Sequence, residues 1–259
     1  MAVGAITVPR TPGFRLDGRR ALVTGAGRGI GFALAAALAE YGAQVTLCAR
    51  SAAELESAAA AIRGQGGSAQ ALVLDVCDTG AVRRAIAALP AFDILVNNAG
   101  GNRPAPFLEV TEEDFDALMR LNVRAGFFTA QAVAARMAAA GVRGSIVNVS
   151  SQAGRLAAAG RPVYTTSKFA IEGMTKAMAV DLAPKGIRVN SVCPTFIETE
   201  MTRPSLQEPA FRQFVLSRIR LGRLGAVEDL MGAVVFLASD ASSLMTGASL
   251  VVDGGWTAG

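Results

Sequence analysis

The stretch Thr24-Gly25-Ala26-Gly27-Arg28-Gly29-Ile30-Gly31 decides how this chain folds. Before it, residues 21–24 form a short apolar run. After it, residues 30–41 are rich in alanine and leucine at helical spacing and end at Gly42, as a helix C-terminus does. Glycines at a strand-to-helix turn let the backbone bend tightly and come close to a pyrophosphate. The helix that follows offers unpaired N–H groups and a partial positive charge. A glycine-rich turn alone is a weak signal, because ordinary loops share it; the flanking strand and helix carry the reading.

Outward from this turn, strand and helix keep alternating, about seven times in all. Strand patterns recur at 44–49, 71–76, 93–97, 145–150, 188–193 and 248–252. Helical patterns fill 52–63, 79–89, 112–140 (one long helix or two abutting), 163–183 and 226–239, with Pro90 and Pro184 as stops. The strands read as continuous apolar runs rather than apolar/polar alternations. That predicts an α/β fold, a doubly wound parallel sheet (Rossmann-like) of about seven strands with helices on both faces. A dinucleotide in such a sheet lies at the carboxyl ends of the strands, where strand order reverses. Residues 1–16, holding Pro9, Pro12 and Gly13, read as an N-terminal arm, and 17–259 as a single catalytic domain. The irregular stretch 195–225 reads as a substrate-covering lid with one or two short helices.

Composition narrows the function classes. A hydrophobic share of 51% against 18% charged residues is globular. The net charge of +4, from 25 basic and 21 acidic residues, is small and scattered, which argues against nucleic acid as a partner. Cys48, Cys77 and Cys193 are far apart and histidine is absent, so neither a zinc site nor a histidine-based hydrolase is expected. An odd cysteine count in strand-like surroundings reads as buried free thiols in a reducing, cytoplasmic setting. The first sixteen residues lack an apolar signal core, and no uncharged apolar run reaches membrane length.

The end of the second strand bears on the cofactor. An acidic residue there binds the ribose hydroxyls of NAD in dinucleotide folds. Here that position is Ala49, followed by Arg50. An arginine binds a 2′-phosphate with forked, charged hydrogen bonds, and Arg28 in the glycine turn can reach the same group. Both point to NADP(H), unless the two arginines are merely solvated. Farther on, Tyr164 and Lys168 stand at i and i+4 at the start of a helix and share a face. A free phenol has a pKa of about 10, and a neighbouring ammonium lowers it, making such a pair a proton donor and acceptor for a carbonyl/alcohol couple. By themselves the two are a common helix-surface pair. Ser151, thirteen residues earlier at a strand end, supplies a hydroxyl that can stabilise a developing oxyanion.

Together these residues resemble the classical short-chain dehydrogenases/reductases, in their NADP(H)-preferring form. The glycine turn has that family's Thr-Gly-x-x-x-Gly-x-Gly spacing, and Asn97-Asn98-Ala99-Gly100, Leu121-Asn122-Val123, Tyr164-Thr165-Thr166-Ser167-Lys168 and Val252-Asp253-Gly254-Gly255 match further marks. The resemblance spans about residue 17 to the end. It implies an oxidoreductase in which Tyr164 is the acid/base, Lys168 lowers its pKa and holds the nicotinamide ribose, Ser151 polarises the carbonyl and Asn122 supports a water in the proton relay. It implies a cofactor lying along Thr24, Gly25, Arg28, Gly29, Ile30, Gly31 and Arg50, then Asp75 and Val76 at the adenine, Asn98, Ala99 and Gly100 at the ribose, and Pro194, Ile197 and Thr199 at the carboxamide. One departure stands out: where the family has Pro-Gly, this chain has Pro194-Thr195.

For the substrate, Asn102, Arg103, Gln152 and Arg155 are polar candidates and Phe196 and Trp256 apolar ones. A polar lining suits a sugar, polyol or sugar acid; solvated loop residues would look the same. A 3-oxoacyl thioester reductase is the alternative on the same platform, if Arg212, Arg218, Arg220 and Arg223 form a basic patch for an acidic carrier. A non-catalytic NADP(H)-binding sensor is the alternative of another class, but the tyrosine and lysine are both present. The resemblance implies a homotetramer or dimer, and the alanine-rich helices at 125–140 and 169–183 would permit close packing between subunits.

Overall fold

Strand β1 (Arg20–Thr24) has four of its five residues buried and sits in the middle of the sheet. The computed structural model describes residues 7–259, so the first six residues of the expected arm lie outside the described residues. Parallel to β1 on one side runs β2 (Gln44–Ala49), followed by β3 (Ser68–Val73). On the other side lie β4 (Ile94–Asn97), β5 (Ser145–Val149), β6 (Arg188–Pro194) and β7 (Ser249–Val252). The order β3-β2-β1-β4-β5-β6-β7 is parallel throughout, and the chain reverses its direction of winding between β1 and β4. A crevice therefore opens at the carboxyl ends of those two strands.

Helices α1 (Gly29–Glu40) and α2 (Ala52–Gly64) cover one face of the sheet. Helices α3 (Thr79–Ala88), α4 (Glu112–Met119), α5 (Gly126–Ala139) and α6 (Pro162–Leu182) belong to the other. Two short helices, α7 (Arg203–Leu206) and α8 (Pro209–Arg218), occupy the predicted lid, and α9 (Glu228–Ala238) returns to the first face. Strand alternation sets the division. Val23 packs with Leu34, Leu38, Leu55 and Leu237 on the first face, while its neighbour Leu22 packs with Val82, Val133 and Met137 on the second. The lid has a small core of its own, where Leu206, Val215, Ile219 and Leu224 meet Phe196, Phe211 and Trp256.

Three readings are corrected or refined. The third strand spans Ser68–Val73, not 71–76, so Asp75 and Val76 lie beyond its end. The Asp75 carboxylate accepts the N–H of Cys77, and its carbonyl accepts that of Asp78; this turn ends the strand. As an edge strand β3 is also largely exposed rather than apolar throughout. The helical region 112–140 is one unbroken helical run, with a π-helical turn at Arg120–Ala125 joining α4 to α5. Finally, Cys48 and Cys193 are buried, but Cys77 is partly exposed and off the strands. Burial lifts the Cys48 and Cys193 thiols to about 12 and about 11, leaving both protonated and inert at neutral pH.

Candidate active site

At the carboxyl ends of the strands a cleft of about 820 Å³ runs from the glycine turn to the lid. Gly25, Gly29 and Gly31 line its first part. At Gly31 a Cβ would stand 2.2 Å from the Gly25 carbonyl oxygen, so no other residue fits there. Thr24 is buried behind the turn instead of lining the cleft. Its hydroxyl accepts the N–H groups of Asn98 and Ala99 at 3.0 and 3.1 Å, and the Asn98 side chain donates to the Thr24 and Gly25 carbonyls. These bonds lock the glycine turn to the segment after β4.

The N-terminus of α1 is left open. Arg28 caps it without a side-chain hydrogen bond, and no acidic residue stands in its first turn. Helices α2, α3, α4 and α8 are capped by Ser51, Asp78, Thr111 and Glu208. An uncapped helix end against a cradle with no room for a side chain fits the pyrophosphate of a dinucleotide. Arg50 and Ser51 line the cleft beyond it, with Asp75, Val76, Ala99 and Gly100 on the facing wall. Arg28 shares its charge between Glu54 at 3.2 Å and Glu200 at 3.5 Å. Sequence reading missed Glu54, although Ser51-x-x-Glu54 is a capping-box pattern. Only half the box forms: Ser51 Oγ accepts the Glu54 N–H at 3.3 Å, and the carboxylate turns to Arg28.

Farther along, β5 and α6 bring Ser151, Tyr164 and Lys168 to one wall. Lys168 is buried; its ammonium donates to the Val149 carbonyl at 3.0 Å and lies 5.4 Å from the centre of the Tyr164 ring. Ser151 Oγ accepts the Ala153 N–H at 3.1 Å and donates to Gln152 Oε1 at 2.5 Å. Asn122 is not on the cleft surface. It sits behind the wall on the π turn, where Oδ1 accepts the Gly101 N–H at 2.8 Å and Nδ2 donates to the Gly101 carbonyl and to Ser167 Oγ, each at 3.0 Å. Ser167 Oγ in turn donates to the Tyr164 carbonyl at 2.7 Å, so Asn122 ties the loop after β4 to the first turn of α6.

Pro194, Thr195, Ile197 and Thr199 line the opposite wall. Threonine in place of glycine does not strain the backbone, since no described non-glycine residue has a positive φ. Of the substrate candidates, Asn102, Arg103, Gln152 and Phe196 reach the cleft. Arg103 is neutralised by Asp114. Arg155 is exposed outside the cleft, and Trp256 stacks behind Phe196 at 5.5 Å. Of the four arginines that could form a basic patch, Arg223 pairs with Asp229, Arg220 donates to the Gly259 carbonyl, and Arg218 lies over Phe214. Sequence reading also missed Arg161, which lines the cleft beside Tyr164.

Known proteins are similar to this chain in sequence and fold. A family model described as enoyl-(acyl carrier protein) reductase matches residues 25–257. The chain is 46% identical to the gluconate 5-dehydrogenase of Gluconobacter oxydans (strain 621H), over 94% of this chain and 96% of that one. It is 43% identical to the D-erythrulose reductase of Gallus gallus, over 95% and 98%. The crystal structure of a gluconate 5-dehydrogenase from Burkholderia cenocepacia J2315 in complex with NADP and tartrate matches with a TM-score of 0.91 at 43% identity, covering 95% of this chain and 98% of that one.

Proposed function

The chain belongs to the classical short-chain dehydrogenase/reductase family, and on that premise we propose that it interconverts a secondary alcohol and a ketone of a sugar, polyol or sugar acid with NADP(H). The observation that carries this reading is one cleft holding the glycine cradle at one end and Ser151, Tyr164 and Lys168 at the other. Relatives named for gluconate and erythrulose, and a neighbour that holds NADP, support the substrate class and the cofactor. A thioester substrate has weaker support: the similar 3-oxoacyl (acyl-carrier-protein) reductase structure is 31% identical, against 46% for the gluconate enzyme.

The cofactor would rest on Gly25, Gly29, Ile30 and Gly31, with Arg28 and Arg50 at a 2′-phosphate, Asp75 and Val76 at the adenine, and Pro194, Ile197 and Thr199 at the carboxamide. When bound, its nicotinamide supplies or takes up a hydride. The chain's own residues handle the proton. Tyr164 Oη is the acid/base at the substrate oxygen. Lys168 holds a fixed positive charge near that phenol, because its ammonium is anchored on Val149. Ser151 donates to the same substrate oxygen once its hydrogen turns away from Gln152. Asn122 keeps the Gly101 loop and the base of Tyr164 in register.

Residues 17–259 act as one catalytic unit, and the protein works as a cytoplasmic homotetramer. Among the described residues no helix is long and apolar enough to cross a membrane, and no cluster of metal-ligating side chains occurs. The test is nicotinamide absorbance with NADP⁺ or NADPH against sugars, polyols, sugar acids and 3-oxoacyl thioesters, beside Tyr164→Phe. Turnover should fall by about 100-fold or more in the variant, the usual worth of a positioned acid/base. Turnover that survives the substitution would remove Tyr164 from its role.

A further inference from the structure

We propose that the substrate carries a carboxylate, as a polyhydroxy acid does, and that Arg161 is the residue that binds it. The proposal rests on the oxidoreductase reading of the cleft. Arg161 is the N-cap of α6, three residues before Tyr164, and lines the cleft with Tyr164, Ser151, Gln152 and Phe196. Its guanidinium is half-buried and stacked, 5.1 Å from the centre of the Phe196 ring and 5.4 Å from that of Phe211. Contact with the two rings, which stand at 74° to each other, anchors the group without giving its N–H donors an oxygen acceptor. Among the described residues its side chain has no hydrogen bond and no ion pair, in contrast to Arg28 and Arg103 in the same cleft.

The surroundings add to the imbalance. A cation at a helix N-terminus meets the positive end of the helix dipole. Burial pushes the Arg161 proton affinity down, yet arginine stays charged at neutral pH. The carboxylates that line the cleft are Glu54, Asp75 and Glu200. Glu54 and Glu200 both face Arg28 at the glycine turn, and Asp75 follows β3. The end holding Tyr164 therefore has two positive charges, Arg161 and the buried Lys168, and no side-chain anion. An incoming carboxylate supplies the missing partner. Asn102 and Thr195 also line the cleft, and Asn102 Oδ1 and Thr195 Oγ1 are buried polar atoms without hydrogen-bond partners.

The experiment compares substrates that differ only at carbon 1: D-gluconate and D-galactonate against D-sorbitol and galactitol, each with NADP⁺. Arg161→Met keeps the stem on the two rings and removes the charge; Arg161→Lys restores a charge without the fork. We expect the acids to be preferred. KM for the acids should rise by about 10- to 100-fold in Arg161→Met with kcat little changed, the scale of a lost charged hydrogen bond. The Lys variant should recover part of this, and the alditols should be indifferent to both. Alditols turned over as well as the acids, or an equal loss for both classes, would overturn the proposal. Calorimetric titration of D-gluconate into the NADP⁺-loaded protein separates the two readings. Binding that is lost in Arg161→Met upholds the carboxylate site even if no oxidation follows, in which case the oxidoreductase reading is the one that fails. No gluconate binding to the parent protein overturns the carboxylate site, whatever the alditols do.

Discussion

At Gly31, space for a single methyl group decides the cofactor cradle. A Cβ there meets the Gly25 carbonyl oxygen at 2.2 Å and Asn98 Nδ2 at 2.4 Å. Neither can yield, because Asn98 is pinned to Thr24 and Gly25. Gly31→Ala should cost about 1–3 kcal/mol through overpacking and weaken NADPH binding together with stability. Thermal melts and NADPH fluorescence titrations check this; an unchanged melting temperature with unchanged affinity would mean the turn is looser than it looks. This glycine was legible because its motif fixes it by spacing. Arg161 was not: no motif surrounds it, and what singles it out is its place beside Tyr164 and between two aromatic rings, with the cleft's Glu54 and Glu200 spent on Arg28. The same holds for Asn122, whose place in the helix was readable but whose position behind the wall was not.

Among the elements, those with caps and breakers are the ones the sequence specifies. Pro90 forces Leu89 into extended backbone and α3 stops at Ala88. The start of β3 is marked by Gly66 and Gly67, which the reading of a strand at 71–76 passed over. Its far end follows the register with β2, Ala49 against Val73. The π turn at Arg120–Ala125 was illegible because such turns are rare single insertions inside α-helices with no residue signature of their own. Charge at an element end gives a pH prediction. Asp229, in the first turn of α9, accepts two hydrogen bonds from Arg223 and the N–H of Ala226, which hold its carboxyl at about 2. A depressed pKa in the folded state means that its contribution is complete above the ordinary carboxylate range and is lost as pH falls through about 2. Asp229→Asn should therefore destabilise the protein by about 1 kcal/mol or less at pH 7, as a partly exposed pair does. The gap should narrow when urea midpoints are compared at pH 3. A gap that stays constant between the two would show that the carboxylate charge is not what stabilises this turn.

For the molecule as a whole, one face of α6 is finished differently from the rest. Phe169, Gly173, Lys176 and Val180 recur at i, i+4, i+7 and i+11 and share a stripe. Phe169 is 48% exposed and Val180 74%, while Ile171, Met174 and Thr175 on the opposite side are buried in the subunit. Gly173 lies exposed in mid-helix with nothing within 4 Å of its missing Cβ. Within one subunit that glycine serves no packing purpose and weakens the helix by about 1 kcal/mol relative to a good helix former. It makes sense if the helix of a second copy approaches closely there, between two apolar side chains. The sign of a single substitution then separates the two states. In a monomer, Gly173→Gln should raise the melting temperature, since the space is open and glutamine favours helix. In the expected homotetramer, the same side chain fills the contact between subunits. Sedimentation should then show smaller species at micromolar concentration, with the melting temperature lowered. A more stable variant with an unchanged sedimentation coefficient would show that this stripe is solvent-facing and that the subunits, if they assemble, do so elsewhere.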